Sequence, residues 1–235
     1  MIIKNITAIF LSVIGMFALS SCAALKISEL QEKLKNEQVC CQSFAEIKYE
    51  TLKYDDSITF NVQGDKPVFN FEEGKSPFVA VRLPLQDGKR YLRVYVKATY
   101  TYGDPGKGNH YYYFIPTLLV LDAQFNVTQK INMYGDEFLN LARRNSGVAM
   151  QYLLGKKDEY VIAYVDANLF DKPVTITIHN SQVSSGMMLN TTNYTTATIQ
   201  PGGNITLANE KREYAEEYET ERQQRLQQEK RLLIK

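Results

Sequence analysis

Apolar and polar positions change rhythm several times along the chain, and each change predicts an element. Residues 6–19 (ITAIFLSVIGMFAL) are almost wholly apolar. Ile27, Leu30 and Leu34 then recur at i, i+3 and i+7 among Lys, Glu and Gln, the spacing of a short amphipathic helix. Ser43 and Glu46 have the spacing of a capping box. From about residue 47 the period falls to two. Ile58, Phe60 and Val62 alternate with Thr59 and Asn61. Leu92, Val94, Val96 and Ala98 alternate with Tyr91, Arg93, Tyr95, Lys97 and Thr99. Val161, Ala163 and Val165 oppose Tyr160, Ile162 and Tyr164, and Val174, Ile176 and Ile178 oppose Thr175, Thr177 and His179. Such alternation marks half-buried antiparallel strands. The unbroken apolar run Leu118–Leu121 predicts a strand buried on both faces.

Turn signals separate these runs: Gln63-Gly64-Asp65, Asp87-Gly88, Gly103-Asp104-Pro105-Gly106, Gly155-Lys156-Lys157-Asp158 and Pro201-Gly202-Gly203. Only residues 136–144 (DEFLNLARR) look helical within this region. Residues 184–206, rich in Ser, Thr, Asn and Gly, read either as an edge strand pair or as a long polar loop. The last stretch is dense in helix formers with mixed charge, and Asn209 is placed to cap it. It lacks a sustained heptad, which argues for a solvated helical tail and against a strong coiled coil. The expected organisation is therefore a leader over 1–21, a tether with a short helix over 22–46, a mainly β domain over 47–208 and a charged helical tail over 209–235. Many short strands with regular turns predict an antiparallel β-sandwich of jelly-roll type for the domain.

The first apolar run is too short to cross a bilayer, which takes roughly 20 residues. With Lys4 before it and small residues after it, it reads as a secretory signal peptide. Its end, Leu19-Ser20-Ser21-Cys22, resembles the lipobox of bacterial lipoproteins. That resemblance implies cleavage before Cys22, acylation of its thiol and new amino group with chains such as palmitate, and anchorage by lipid. Ala23 in the following position implies sorting to the outer membrane, with the domain facing the periplasm.

Charge adds an exclusion. The chain of 235 residues has 27 basic and 26 acidic side chains, and loss of the leader removes only Lys4. Nucleic acid is therefore not an expected partner, because phosphate binding calls for a clustered basic excess. With 2 His and 3 Cys, one of them consumed by lipid, no metal site or cofactor is expected. The remaining pair, Cys40 and Cys41, is expected to oxidise in a periplasm, either to each other in a small strained ring or between molecules.

No phosphate loop, zinc-protease helix, nucleophile elbow or calcium loop occurs in the sequence. His110, beside Tyr111, Tyr112 and Tyr113, and His179 read as solvated side chains. The acid pairs Asp55-Asp56 and Asp136-Glu137 read as turn or surface charges, not as a glycosidase pair. The sequons at Asn5, Asn126, Asn190, Asn193 and Asn204 carry no weight behind a bacterial leader. A binding protein is expected, and not an enzyme. The candidate binding face is the polar side of the strands, Tyr91, Arg93, Tyr95, Tyr160 and Tyr164, because a tyrosine combines a stacking ring with a hydroxyl.

Three segments resemble the MalM family of periplasmic proteins encoded in maltose operons: Cys40 to Leu52 (CCQSFAEIKYETL), Ile115 to Asp122 (IPTLLVLD) followed by Phe125, and Glu159 to Tyr164 (EYVIAY). They span most of residues 40–180 and are strand and turn patterns. The resemblance implies a mainly β periplasmic protein accessory to maltose or maltodextrin uptake, which binds a glycan or an envelope protein. The alternative from the residues alone is an assembly scaffold that holds a protein partner through its helical tail and binds no sugar.

Overall fold

The computed structural model describes residues 27–62, 66–101, 110–184 and 187–211. The leader, Cys22 and the tail beyond Lys211 lie outside the described residues. Helix α1 (Ile27–Asn36) comes first, followed by a 3-10 turn at Phe44–Glu46. Strands β1 (Glu50–Thr51), β2 (Asp56–Val62), β3 (Val68–Phe71), β4 (Gly74–Arg82), β5 (Arg90–Lys97), β6 (Thr99–Thr101), β7 (His110–Tyr113), β8 (Thr117–Leu121) and β9 (Val127–Asn132) follow. After α2 (Asp136–Ala142) come β10 (Gly147–Leu154), β11 (Tyr160–Tyr164), a 3-10 turn at Ala167–Leu169, β12 (Pro173–Ser184), β13 (Met187–Ile199) and β14 (Gly203–Glu210). The chain is mainly β, as the alternating runs predict, and most pairings are antiparallel.

The strands form three sheets. The first has the order β1-β4-β11-β8-β9, with β3 also on β4. The second has the order β10-β5-β14-β2, and the third β12-β13-β7-β6. The first two face each other in a sandwich-like arrangement. Val79, Val81, Val120, Val161 and Ala163 of the first sheet share one apolar cluster with Phe60, Leu92, Val94, Val96, Ile205 and Leu207 of the second. Phe138 and Ala142 of α2, together with Val174, Ile176, Ala197 and Ile199 of the third sheet, extend this cluster.

The first sheet is buried on its other side as well. Leu119, Leu121, Ile162 and Tyr164 face a second cluster with Ile47, Phe69, Phe71 and Phe78. This is why β8 reads as an uninterrupted apolar run: all five of its residues are buried. The cover comes from the stretch expected to be a tether. Leu34 packs against the main core, the Cys40 amide donates to Val68 O at 2.9 Å, and the Phe44 ring stacks on Phe69 at 5.1 Å. Lys75 Nζ donates to the carbonyls of Lys35 and Glu37 at 2.7 and 2.8 Å, so a cation closes the end of α1. From Leu34 onward these residues are part of the domain and not a spacer. Glu46 reaches back to the Gln42 amide and the Ser43 hydroxyl, but only one 3-10 turn follows.

Two further expectations change. The alternating run from Arg90 forms two strands and not one: at Ala98 the chain leaves the second sheet and enters the third. Asn209, expected to cap a helix, is buried within β14 opposite Leu92. The strand thus runs two residues past the expected domain end at 208.

A buried polar knot fixes the corner where β10 turns into β11. Arg90, 1% exposed, donates to the carbonyls of Gly155 and Asp158 at 3.0 and 2.7 Å. Asp158, 2% exposed, accepts from the Gly155 amide at 2.6 Å, the Thr128 hydroxyl at 2.7 Å and the Gln129 amide at 3.0 Å. Next to it, Glu159 takes two bonds from Arg82 at 2.7 and 3.0 Å. Replacing Asp158 by Ala removes the acceptor shared by the Gly155 amide, the Thr128 hydroxyl and the Gln129 side-chain amide, and empties a buried position. The expected loss is about 3 kcal/mol, a fall of roughly 6–12 °C in thermal midpoint, which denaturation followed by circular dichroism will measure.

Candidate functional site: a cleft between the helix and three sheet ends

The tyrosines grouped by alternation do not form one face. Tyr91, Arg93 and Tyr95 lie on β5 and point away from the shared core on the second sheet. Tyr160 and Tyr164 lie on β11 and point away from it on the first sheet, in the opposite direction. Tyr91 is only 7% exposed. Arg93 pairs with Glu210 at 2.8 Å, and Glu210 also accepts from Gln151 at 2.8 Å. Tyr95 is 39% exposed and its ring lies over Gly147, where a Cβ would collide with it. Period two tells which residues share a side of one strand but not which sheet that strand joins.

On the first sheet, the two tyrosines are core groups. Tyr160 packs against Tyr49 at 4.6 Å and Phe125 at 4.7 Å. Tyr164 is buried, lies parallel to Phe71 at 3.6 Å, and donates its hydroxyl to Glu73 at 2.8 Å. Burial, then Glu73, pushes the Tyr164 phenol up from its ordinary range, so it stays a donor at any physiological pH.

Cys40 and Cys41 are bonded to each other, with Cys41 packed against the second core. His110 is exposed at the start of β7, and the side chain of His179 lies outside the described residues. Asp55 sits in a left-handed turn conformation at φ 59° and pairs with Lys211 at 3.3 Å. Asp136 and Glu137 occupy the first turn of α2. No group of three or more His, Cys, Asp or Glu side chains converges among the described residues.

A cleft of about 330 Å³ opens where α1 crosses the ends of all three sheets. Its floor is apolar: Leu34 of α1, Val62 of β2, Val68 of β3, Pro77 of β4 and Pro201. One wall carries Tyr100 of β6, 53% exposed, and Tyr112 of β7. The rim supplies amides from Asn61, Gln200 and Asn204 and hydroxyls from Thr99 and Thr101. Lys33, Glu37 and Lys66 add charge of both signs on the helix side.

Two glycines let the turn before β14 lie against its neighbours. A Cβ on Gly202 would come within 2.8 Å of the Val62 carbonyl oxygen. One on Gly203, at φ +154°, would come within 2.8 Å of Phe114 Cβ. The volume and lining fit a small ligand site: an apolar floor, an aromatic wall and a few polar groups that set orientation. Flat rings with hydroxyl edges suit such a lining, since the ring stacks on tyrosine while amides meet the hydroxyls.

The sequence shows the parts of this cleft without their convergence. The Tyr111–Tyr113 run and the Pro201-Gly202-Gly203 turn stand out, and Tyr100 lies in the alternating run, but only the break at Ala98 turns Tyr100 toward the third sheet. Comparison with protein-family models, with curated proteins and with solved structures gave no match.

The second core predicts a pH dependence. Burial alone pushes the Glu73 carboxyl up, but Lys130 and the Tyr164 hydroxyl more than offset this and hold it below the usual glutamate range. A carboxylate depressed in the folded state contributes stability in full above its unfolded value, about 4.3, and loses it as pH falls. The thermal midpoint of the wild-type chain is therefore expected to fall more steeply between about pH 5 and pH 3 than that of Glu73→Gln. Parallel slopes would show that Glu73 gains nothing from its partners.

Proposed function

We propose that this chain is a non-enzymatic lipoprotein of the MalM type, held by acylated Cys22 in the outer membrane and facing the periplasm, where it assists maltose or maltodextrin uptake by binding a glycan. On this reading the sandwich-like domain is a jelly roll that acts as a rigid scaffold and needs no cofactor. The cleft is the glycan site. The observation that carries this reading is the pairing of the Tyr100 and Tyr112 wall with the amide rim of Asn61, Gln200 and Asn204 over an apolar floor. It replaces the Tyr91 and Tyr160 face, whose members point in opposite directions.

Two measurements test this. Calorimetric titration of maltodextrins into residues 23–235 is expected to show saturable binding. Tyr100→Ala combined with Tyr112→Ala is expected to weaken it about tenfold, or 1.4 kcal/mol, with little change in melting. Absence of heat across chain lengths removes the glycan reading. Separately, Cys22→Ser is expected to abolish fatty-acid labelling and release the protein from membranes. Persistent labelling would place the lipid elsewhere.

A further inference from the structure

The hairpin β12–β13 runs well past the strand that supports it. All 12 residues of β12 pair with β13, an extent of about 40 Å, yet β7 joins β13 only at Ala197–Ile199. Among the side chains described, burial is confined to the base. Val174, Ile176 and Thr177 are buried, as are Ala197 and Ile199, and the Thr177 hydroxyl donates to the Arg143 carbonyl behind α2.

Further out, Thr191, Thr192, Asn193 and Tyr194 are exposed in succession, with Tyr194 at 74%. Neighbouring side chains on a strand point to opposite faces, so both faces of β13 reach solvent along this stretch. Beyond Ile178 the hairpin continues for six further pairs, about 20 Å, as a two-stranded arm with no third strand among the described residues.

Such an arm is at odds with ordinary practice for exposed strands. A lone two-stranded ribbon is marginal in water. Sheet edges that face solvent usually carry lysine, another inward charge, proline or a bulge, which prevents pairing with other chains. Here no Asp, Glu, Lys or Arg occurs from Pro173 to Asn209, in a chain that is 23% charged. The arm's pairing runs in register without a bulge, and its one proline, Pro173, is at the base. Among the described residues, β12 pairs with β13 alone, so its other edge has no strand.

We propose that this edge of β12 is a dimerisation surface, on which a second copy of the chain adds its own β12 antiparallel across a two-fold axis. The absence of charge favours that occupant over a different protein. A neutral edge meets its own copy with no like-charge repulsion, and it offers a foreign strand no charge by which to be selected. Two-fold pairing also closes on itself: each copy contributes one such edge, and the two third sheets join into a single continuous sheet. The antiparallel arrangement lays the outer end of one β12 beside the base of the other.

Sedimentation of residues 23–235, which include every described element, is expected to give a dimer across the micromolar range. Ser181→Lys with Gln182→Lys places charges in the outer half of β12 and is expected to give a monomer with an unchanged circular dichroism spectrum. A wild-type monomer, or a dimer that survives both lysines, overturns the proposal. A spin label at position 180 (Asn180→Cys) tests the seam without added charge. Antiparallel pairing brings the two labels close enough for strong dipolar broadening, and a dimer without it is built on another surface.

Discussion

Two sheets can share a core only if the polar groups buried where the chain passes from one to the other find partners. At the β10–β11 turn this falls to Asp158 and Arg90, which divide the work by charge. The guanidinium, reaching from β5, satisfies two carbonyls that have no strand partner. The carboxylate satisfies an amide of the turn and two side chains of β9. Burial draws the Arg90 guanidinium down from its usual range, while Asp158, Tyr54 and Glu159 act in the opposite sense. Either group alone in this environment would be costly, and together they hold the first sheet at a set distance from the second. The mutual placement of β5 and β11, and through β5 that of the cleft wall, depends on this contact.

Coverage of the first sheet on both faces settles which surfaces remain for ligands. The N-terminal stretch from Leu34 to Tyr49 closes the outer face over an aromatic cluster, so tyrosines that face away from the main core there still face protein. The open concave surface is displaced to the edge where sheets end, and α1 forms one lip of it. The disulfide at Cys40–Cys41 lies in the connection between that lip and the cover, and Lys75 holds the helix end in place.

The strands were legible in the sequence wherever a run alternated or was apolar throughout, because those patterns follow from the pleat. β2, β5, β8, β11 and β12 all appear where the pattern put them. What the pattern lacked was any account of neighbours. Tyr95 and Tyr164 obey the same rule on their own strands and end on opposite sides of the molecule. The passage between sheets at Ala98 leaves the alternation from Arg90 to Thr101 unbroken, so two strands read as one. Asn209 shows the converse failure. A residue favoured at helix starts is held in a strand by pairing with β2 and β5, a tertiary contact that local preference cannot express. The cleft is less legible still, since its wall, floor and rim come from segments far apart in the chain.

One consequence concerns the order in which the molecule can assemble. β14 is the last strand of the described chain, yet it lies in the interior of the second sheet, between β5 and β2. β2, near the start, pairs in that sheet with β14 alone. Until residues 203–210 are available, β2 has no partner there, and the face that carries Phe60 and Val62 cannot be closed. Loop-closure entropy over nearly the whole domain must be met before this contact forms, which makes folding slow and late. A growing chain with this topology cannot complete its core before its last strand arrives, and so it remains threadable through a narrow pore while it is being made.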